Sequence, residues 1–180
     1  MDNQEALSIQ SKDAPQRTLE AGERRVYYLF REFDPNYPLE LIINEVPPGH
    51  TLPFHAHETI DETTVVLFGE VIGLTKDSKG GQLQEHHVKA VSLYDPDKHN
   101  FHRITATKEG DVFMVLEDKE TGEILEKPLP YKEGFNAGRA LHSVENRTSN
   151  WVTMATVKKT TPEIFQKNPR IFQEDKILES

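Results

Sequence analysis

From residue 23 onward, apolar positions come in short runs of strand length separated by turn-forming residues. Arg25–Phe30 and Leu39–Val46 are rich in β-branched and aromatic side chains, and Pro35 and Pro38 punctuate the gap between them, which suits two strands joined by a turn. Thr51–His57, Thr63–Phe68, Val71–Thr75, His87–Tyr94, Phe101–Ala106 and Val112–Leu116 follow. Pro47-Pro48-Gly49, Lys79-Gly80-Gly81, Asp95-Pro96-Asp97 and Glu109-Gly110-Asp111 supply turns among them. Two later runs, Ala140–Asn146 and Val152–Val157, are split by Arg147–Asn150. Helical character is confined to 162–168 and the tail. A βαβ sheet needs long amphipathic helices between strands, so this pattern predicts an all-β sandwich or barrel.

The same pattern divides the chain into a polar N-terminal arm over 1–22, a single β-barrel domain over 23–160 and a short tail over 161–180 with helical character. The arm lacks a clear period and is expected to be loose or packed on a neighbour. Residues 118–139, with Gly122, Pro128, Pro130, Gly134 and Gly138, read as a long connection with a small hairpin near Glu123–Leu125. Such a segment is either a lid or interface element or a surface insertion.

Composition narrows the function. The 180 residues include no cysteine, so disulfides, thiolate nucleophiles and sulfur-rich metal sites are excluded. A formal charge of −9 argues against nucleic-acid binding, which needs clustered lysine and arginine. No apolar run approaches membrane-span length, and the first twenty residues lack a signal-peptide core, so a cytoplasmic protein with no membrane partner is expected. Phosphate-binding and dinucleotide-binding glycine loops and a serine nucleophile elbow are also missing. Redox chemistry would therefore rest on a bound metal.

Candidate chemistry concentrates in Gly49-His50-Thr51-Leu52-Pro53-Phe54-His55-Ala56-His57-Glu58-Thr59-Ile60-Asp61-Glu62. In a strand His55 and His57 project to one face, with backbones about 7 Å apart. Glu58–Asp61 can turn the chain, so Glu62 opens the next strand on the face of Thr64, Val66 and Phe68. If the two strands pair, a carboxylate meets two imidazoles. That donor set suits iron, manganese, nickel, cobalt, copper or zinc. The alternative is a solvated strand face with a surface carboxylate.

Gly49, five residues, His55-Ala56-His57, four residues, Glu62, six residues and Gly69 together resemble the first motif of the cupin superfamily. The resemblance covers roughly residues 25–117, extending toward 157. It implies a jelly-roll barrel, often dimeric, in which His55, His57 and Glu62 hold a metal with one histidine from a second motif, and Gly49 and Gly69 turn the chain. For that histidine the first candidate is His102, which follows a proline turn at Asp95-Pro96-Asp97 and shares a face with Ile104 and Ala106. The His102–Ala106 stretch is similar to that of sugar-isomerase-like cupins, although its turn lacks glycine and residue 106 is not asparagine. His99 becomes the ligand if the turn is longer. The alternative is His142, which has Asn146 four residues on but requires an insertion of more than 30 residues between Val71 and Ala140.

These readings lead to a metal-dependent enzyme holding one divalent ion, iron first in order, and oxidising a small anionic or oxygen-chelating substrate with O₂. Sugar or keto-acid isomerisation or epimerisation, and non-catalytic small-molecule binding or sensing, are the alternatives. Isomerisation needs a separate base within proton-transfer reach, for which Glu58, Tyr94 and His99 are the candidates. A homodimer is expected, because the edges of a small barrel must be covered and because the resemblance implies it.

Overall fold

The computed structural model describes residues 6–76 and 81–178, with the side chains of 176–178 outside the description. Lys79 and Gly80 of the expected Lys79-Gly80-Gly81 turn lie outside the described residues. Fourteen strands and two short helices follow one another among the described residues. The strands are β1 (Leu7–Gln10), β2 (Gln16–Thr18), β3 (Arg24–Leu29), β4 (Leu39–Val46), β5 (His55–His57), β6 (Asp61–Phe68) and β7 (Glu70–Lys76). After these come β8 (Gln84–Lys89), β9 (His99–Ala106), β10 (Val112–Asp118), β11 (Ile124–Pro128), β12 (Leu141–Glu145) and β13 (Val152–Lys159). Helices α1 (Pro162–Lys167) and α2 (Ile171–Glu174) precede β14 (Lys176–Leu178).

Three sheets form, in the orders β2-β3-β4-β13-β6, β14-β5-β12-β7-β8 and β1-β9-β10-β11. The first is central, and its alternation explains why. On β13, Ala155 and Val157 enter one core with Leu41, Ile43, Val65 and Leu67, together with Ile104, Met114 and Leu116 of the β1-β9-β10-β11 sheet. The intervening Val152 and Met154 face the other way, into a second core with Val46 and Val66, and with Val71 and Val144 of the β5-containing sheet. A strand covered on both faces is buried along nearly its whole length, as Leu39–Val46 is, with Leu41-Ile42-Ile43 as its apolar centre.

Part of the segment expected as an arm is built into these sheets: β1 pairs with β9 and β2 with β3. Ile9 is buried against the first core, one inward side chain among polar neighbours. The connection over 118–139 contains the β10–β11 hairpin and then Phe135, whose backbone exchanges two hydrogen bonds with Thr64 on β6. Glycine is needed at 69, where φ is +86° and a Cβ would meet Val152 at 2.9 Å, and φ of +70° likewise favours glycine at 49.

At the C-terminal end Thr161 caps α1 by accepting from the Ile164 amide, and Pro162 stands in the first turn, where its missing N–H costs nothing. The helices bury Phe165, Ile171 and Phe172 against Ile60, the apolar residue of the β5–β6 turn. No helix among the described residues is long and apolar enough to cross a membrane.

Candidate metal centre

β5 supplies His55 and His57, β6 supplies Glu62 and β12 supplies His142. One ligand-capable atom of each lies within 4.8 Å of all the others. Strand pairing explains the convergence. His142 sits directly opposite His55 in the β12–β5 register, so their side chains share a face. The period of two puts His57 on that face as well. Glu62 reaches in from the central sheet, on the face that carries Thr64 and Val66.

Each imidazole is oriented by its surroundings. His55 donates from Nδ1 to the Pro53 carbonyl at 3.0 Å, and His142 donates from Nδ1 to the Ala140 carbonyl at 2.9 Å. Both rings therefore present Nε2 to the centre. Pro53 is positioned by β12 itself, since the Leu52 amide donates to the Val144 carbonyl and the Ser143 hydroxyl to the Leu52 carbonyl. The Nε2 atoms of His57, His142 and His55 stand 2.9, 3.4 and 3.5 Å from the Glu62 carboxylate.

Lys158, opposite Glu62 on β13, brings Nζ to 3.3 Å from the same carboxylate. Burial works to raise the Glu62 carboxyl, but the Lys158 ammonium and the hydrogen bond donated by His57 outweigh it and hold the group well below the ordinary range. Burial lowers His55, which keeps its imidazole neutral. Beyond Lys158 lies Glu40, raised by burial, and Arg31, which reaches Glu40 at 3.3 Å, so the buried charges alternate in sign.

Three imidazoles and one carboxylate are the donors that a borderline divalent ion takes, and the residues present fit such an ion. Beside them is a cavity of about 40 Å³ lined by Arg25, Ile42, Asn44, Leu52, Thr156 and Lys158, space for roughly three water-sized spheres. Its polar wall is tied together, with the Asn44 amide donating to Thr156 Oγ1 at 3.1 Å.

Of the two histidines considered for the fourth position, the structure brings His142 and not His102 to His55, His57 and Glu62. The insertion that His142 required is the β9–β11 region, which folds as a separate layer on the far face of the central sheet. There the β9–β10 pairing passes from Arg103↔Val115 to Phe101↔Leu116, leaving His102 as the extra residue of a β-bulge. The three residues expected to serve as a base are not among those lining the cavity. Glu58 is exposed on the β5–β6 turn. Tyr94 packs against the core on the far face, stacked on Phe101 with centroids 4.6 Å apart, and burial pushes its hydroxyl up to about 12. His99 is in the same layer, accepting from the Asp95 amide at 3.2 Å. Lys158 and Arg25 escaped the sequence reading because each stands in a strand whose outward charges look like ordinary solvated positions.

No family model and no curated protein sequence matches this chain. Among solved structures it is similar to oxalate decarboxylase of Bacillus subtilis, with a TM-score of 0.50 and 14% identity over 85% of this chain and 28% of that one. A variant of that enzyme gives a TM-score of 0.53 and 13% identity over 96% of this chain and 32% of that one. The capsular polysaccharide assembling protein CapF of Staphylococcus aureus gives 0.50 and 11% over 92% and 31%. The chain thus spans about a third of the length of each, and the likeness is one of fold.

Proposed function

We propose, from the premise that this chain is a metal-binding protein of the cupin fold, that it is an oxygenase using O₂ on a small, anionic, metal-chelating organic molecule. The observation that carries this reading is the meeting of His55, His57, Glu62 and His142 at the end of a small cavity that also holds Arg25 and Lys158. A divalent ion among one carboxylate and three neutral imidazoles is formally left at +1. Together with two cationic side chains it favours an anion with oxygen donors. When bound, the ion would supply Lewis acidity and redox chemistry beside the substrate, with iron the first choice from this donor set.

The chain's own residues do the rest. His55 and His142 keep their protons on Nδ1, held by the Pro53 and Ala140 carbonyls, so both Nε2 lone pairs stay available. Glu62 stays ionised because the Lys158 ammonium stands beside it. Arg25 and Lys158 would orient a carboxylate or enolate oxygen, and Ile42, Leu52 and Pro53 would keep bulk water from the reacting atoms. The cavity restricts the substrate to a few heavy atoms unless the mouth opens. The likeness to an oxalate decarboxylase, an enzyme named for a small dicarboxylate, supports an anion of this size.

Isomerisation is supported less well. Glu58, Tyr94 and His99 do not line the cavity, and among the described lining residues the only proton-transfer group besides the cluster itself is Lys158.

The test is oxygen uptake by protein loaded in turn with Fe²⁺, Mn²⁺, Ni²⁺, Co²⁺, Cu²⁺ and Zn²⁺, against a panel of small hydroxy-, keto- and dicarboxylates. Uptake that needs both a redox-active metal and one of these anions supports the proposal. Turnover of a panel member without oxygen consumption overturns the oxygenase reading, and failure to bind any of the metals overturns the metal reading.

A further inference from the structure

His57 differs from the other two histidines of the cluster. Its side chain is 1% exposed, and its Nδ1 is buried without a hydrogen-bond partner. The polar atom it faces is Asp175 Oδ2, 3.9 Å away, on a side chain 7% exposed. As the ring stands, Nε2–H donates to Glu62 and Nδ1 carries the lone pair, which points at an acceptor rather than a donor. An unsatisfied buried atom of this kind needs an explanation.

Metal binding supplies one. A metal takes an imidazole lone pair, and Nε2 is the atom directed at the cluster, so in the loaded protein the single ring proton must sit on Nδ1. One proton leaves Nε2 and one arrives at Nδ1, and the ring stays neutral. The new Nδ1–H then faces a carboxylate, and closing the gap to hydrogen-bond length takes a movement of roughly 1 Å. We propose that Asp175 is the positioning residue of His57, receiving its Nδ1 proton when Nε2 is given to a metal, so that the C-terminal segment and the metal centre stabilise each other. This rests on the metal-binding reading above.

Asp175 is well held for the task. Its Oδ2 accepts from the backbone amides of Glu58, Thr59 and Ile60 at 3.1, 2.9 and 3.0 Å, which closes the β5–β6 turn. On one side of it, α1 and α2 bury Phe165, Ile171 and Phe172 against Ile60. On the other, β14 pairs with β5 and sets Lys176 opposite His57. The segment thus straps the histidine strand, and the carboxylate is its point of contact with the imidazole. Linkage makes the effect reciprocal: if the strap raises metal affinity, the metal tightens the strap by the same factor.

The experiment uses the full chain, with Zn²⁺ as a diamagnetic probe, and compares the wild type with Asp175→Asn, which keeps an oxygen for the turn amides and removes the charge. Competitive chelator titration should show affinity reduced about 10- to 100-fold, the range found when an outer partner of a ligating histidine is removed. Histidine ¹⁵N spectra of the Zn²⁺-loaded wild type should place the His57 proton on Nδ1 with a strongly downfield resonance, shifted upfield in D175N. A turn-closing role alone would not move that signal. In the wild type, Zn²⁺ should also slow amide exchange at Glu58, Thr59 and Ile60, a readout that does not depend on the variant folding. Equal affinity in wild type and D175N, an Nε2-protonated His57 in the loaded protein, or exchange unaffected by Zn²⁺ overturns the proposal while leaving the metal centre standing. A wild type that binds no Zn²⁺ overturns both.

Discussion

Asn146 offers a sharp quantitative test of how the site is held. Its side chain is fully buried between two loops. Nδ2 donates to the carbonyls of Asn150, Val46 and Pro47 at 2.8, 3.0 and 3.1 Å, and Oδ1 accepts from the amide and hydroxyl of Thr148 at 3.0 and 2.7 Å. Its backbone adds bonds from the Gly49 amide and to the His50 carbonyl. Asn146→Ala leaves the backbone bonds in place and removes both side-chain roles. Water can reach the partly exposed Thr148 and Asn150 partners, whereas the Val46 carbonyl is enclosed by the core. At about 1 kcal/mol for each net hydrogen bond and somewhat more for an orphaned buried carbonyl, the loss is about 3 kcal/mol. For a chain of this size that lowers Tm by roughly 6–12 °C. Urea unfolding of chelator-treated protein should show the midpoint falling with the m-value unchanged. Asn146→Asp keeps the acceptor but turns a carboxylate on three carbonyls, so it should be at least as damaging. A loss below about 1 kcal/mol for Asn146→Ala would refute the accounting. It would mean that the loops over 46–50 and 146–150 hold themselves.

Three further outcomes are expected. His142→Ala should remove most of the bound metal measured by elemental analysis, while His102→Ala, at the bulge of β9, should leave the metal content at the wild-type level; the reverse result would return the fourth position to His102. The folded Glu62 carboxyl lies below its unfolded value, so the unfolded chain binds the extra proton, and stability of the metal-free protein should fall as pH drops from about 4.5 toward the folded value. Glu62→Gln should lack that part of the slope in chemical denaturation across the same range, and an unchanged slope would show that the carboxylate is not held ionised. Gly134→Ala places a Cβ 2.5 Å from the Thr64 carbonyl oxygen, so it should cost about 1–3 kcal/mol by thermal melt, and a neutral result would mean that the 134–135 segment is free to shift away from β6.

The sequence was most informative where one face of a strand is forced inward. Leu39–Val46 and Val152–Val157 lie between two cores and show it in their runs, and β4 and β13 coincide with them closely. His55, His57 and Glu62 were legible because strand alternation and one short turn leave few other ways to arrange them. Choosing between His102 and His142 needed knowledge of layers, which spacing does not contain. The Phe101–Ala106 run alternates as a barrel strand would, yet it belongs to the inserted sheet. Asn146, four residues on, was the sequence signal for His142, and its loop-pinning bonds give that spacing a physical meaning. β8 was misplaced toward Tyr94 because its real span, Gln84–Lys89, is an exposed polar edge with little apolar signal. Asp175 was invisible for a different reason, since nothing local marks an aspartate whose partners lie on a turn far back in the chain.

The inserted layer has a consequence for assembly. By laying β1, β9, β10 and β11 over Leu41, Ile43, Val65, Leu67, Ala155 and Val157, the chain sheathes its own central wall and withdraws that wall from any other molecule. Two subunits therefore cannot join back to back through it. If the homodimer expected here forms, its seam must run along a rim or across the outer skin of the added layer, and the metal centres of the two copies would be separated by at least one extra thickness of sheet wherever that skin is the meeting ground.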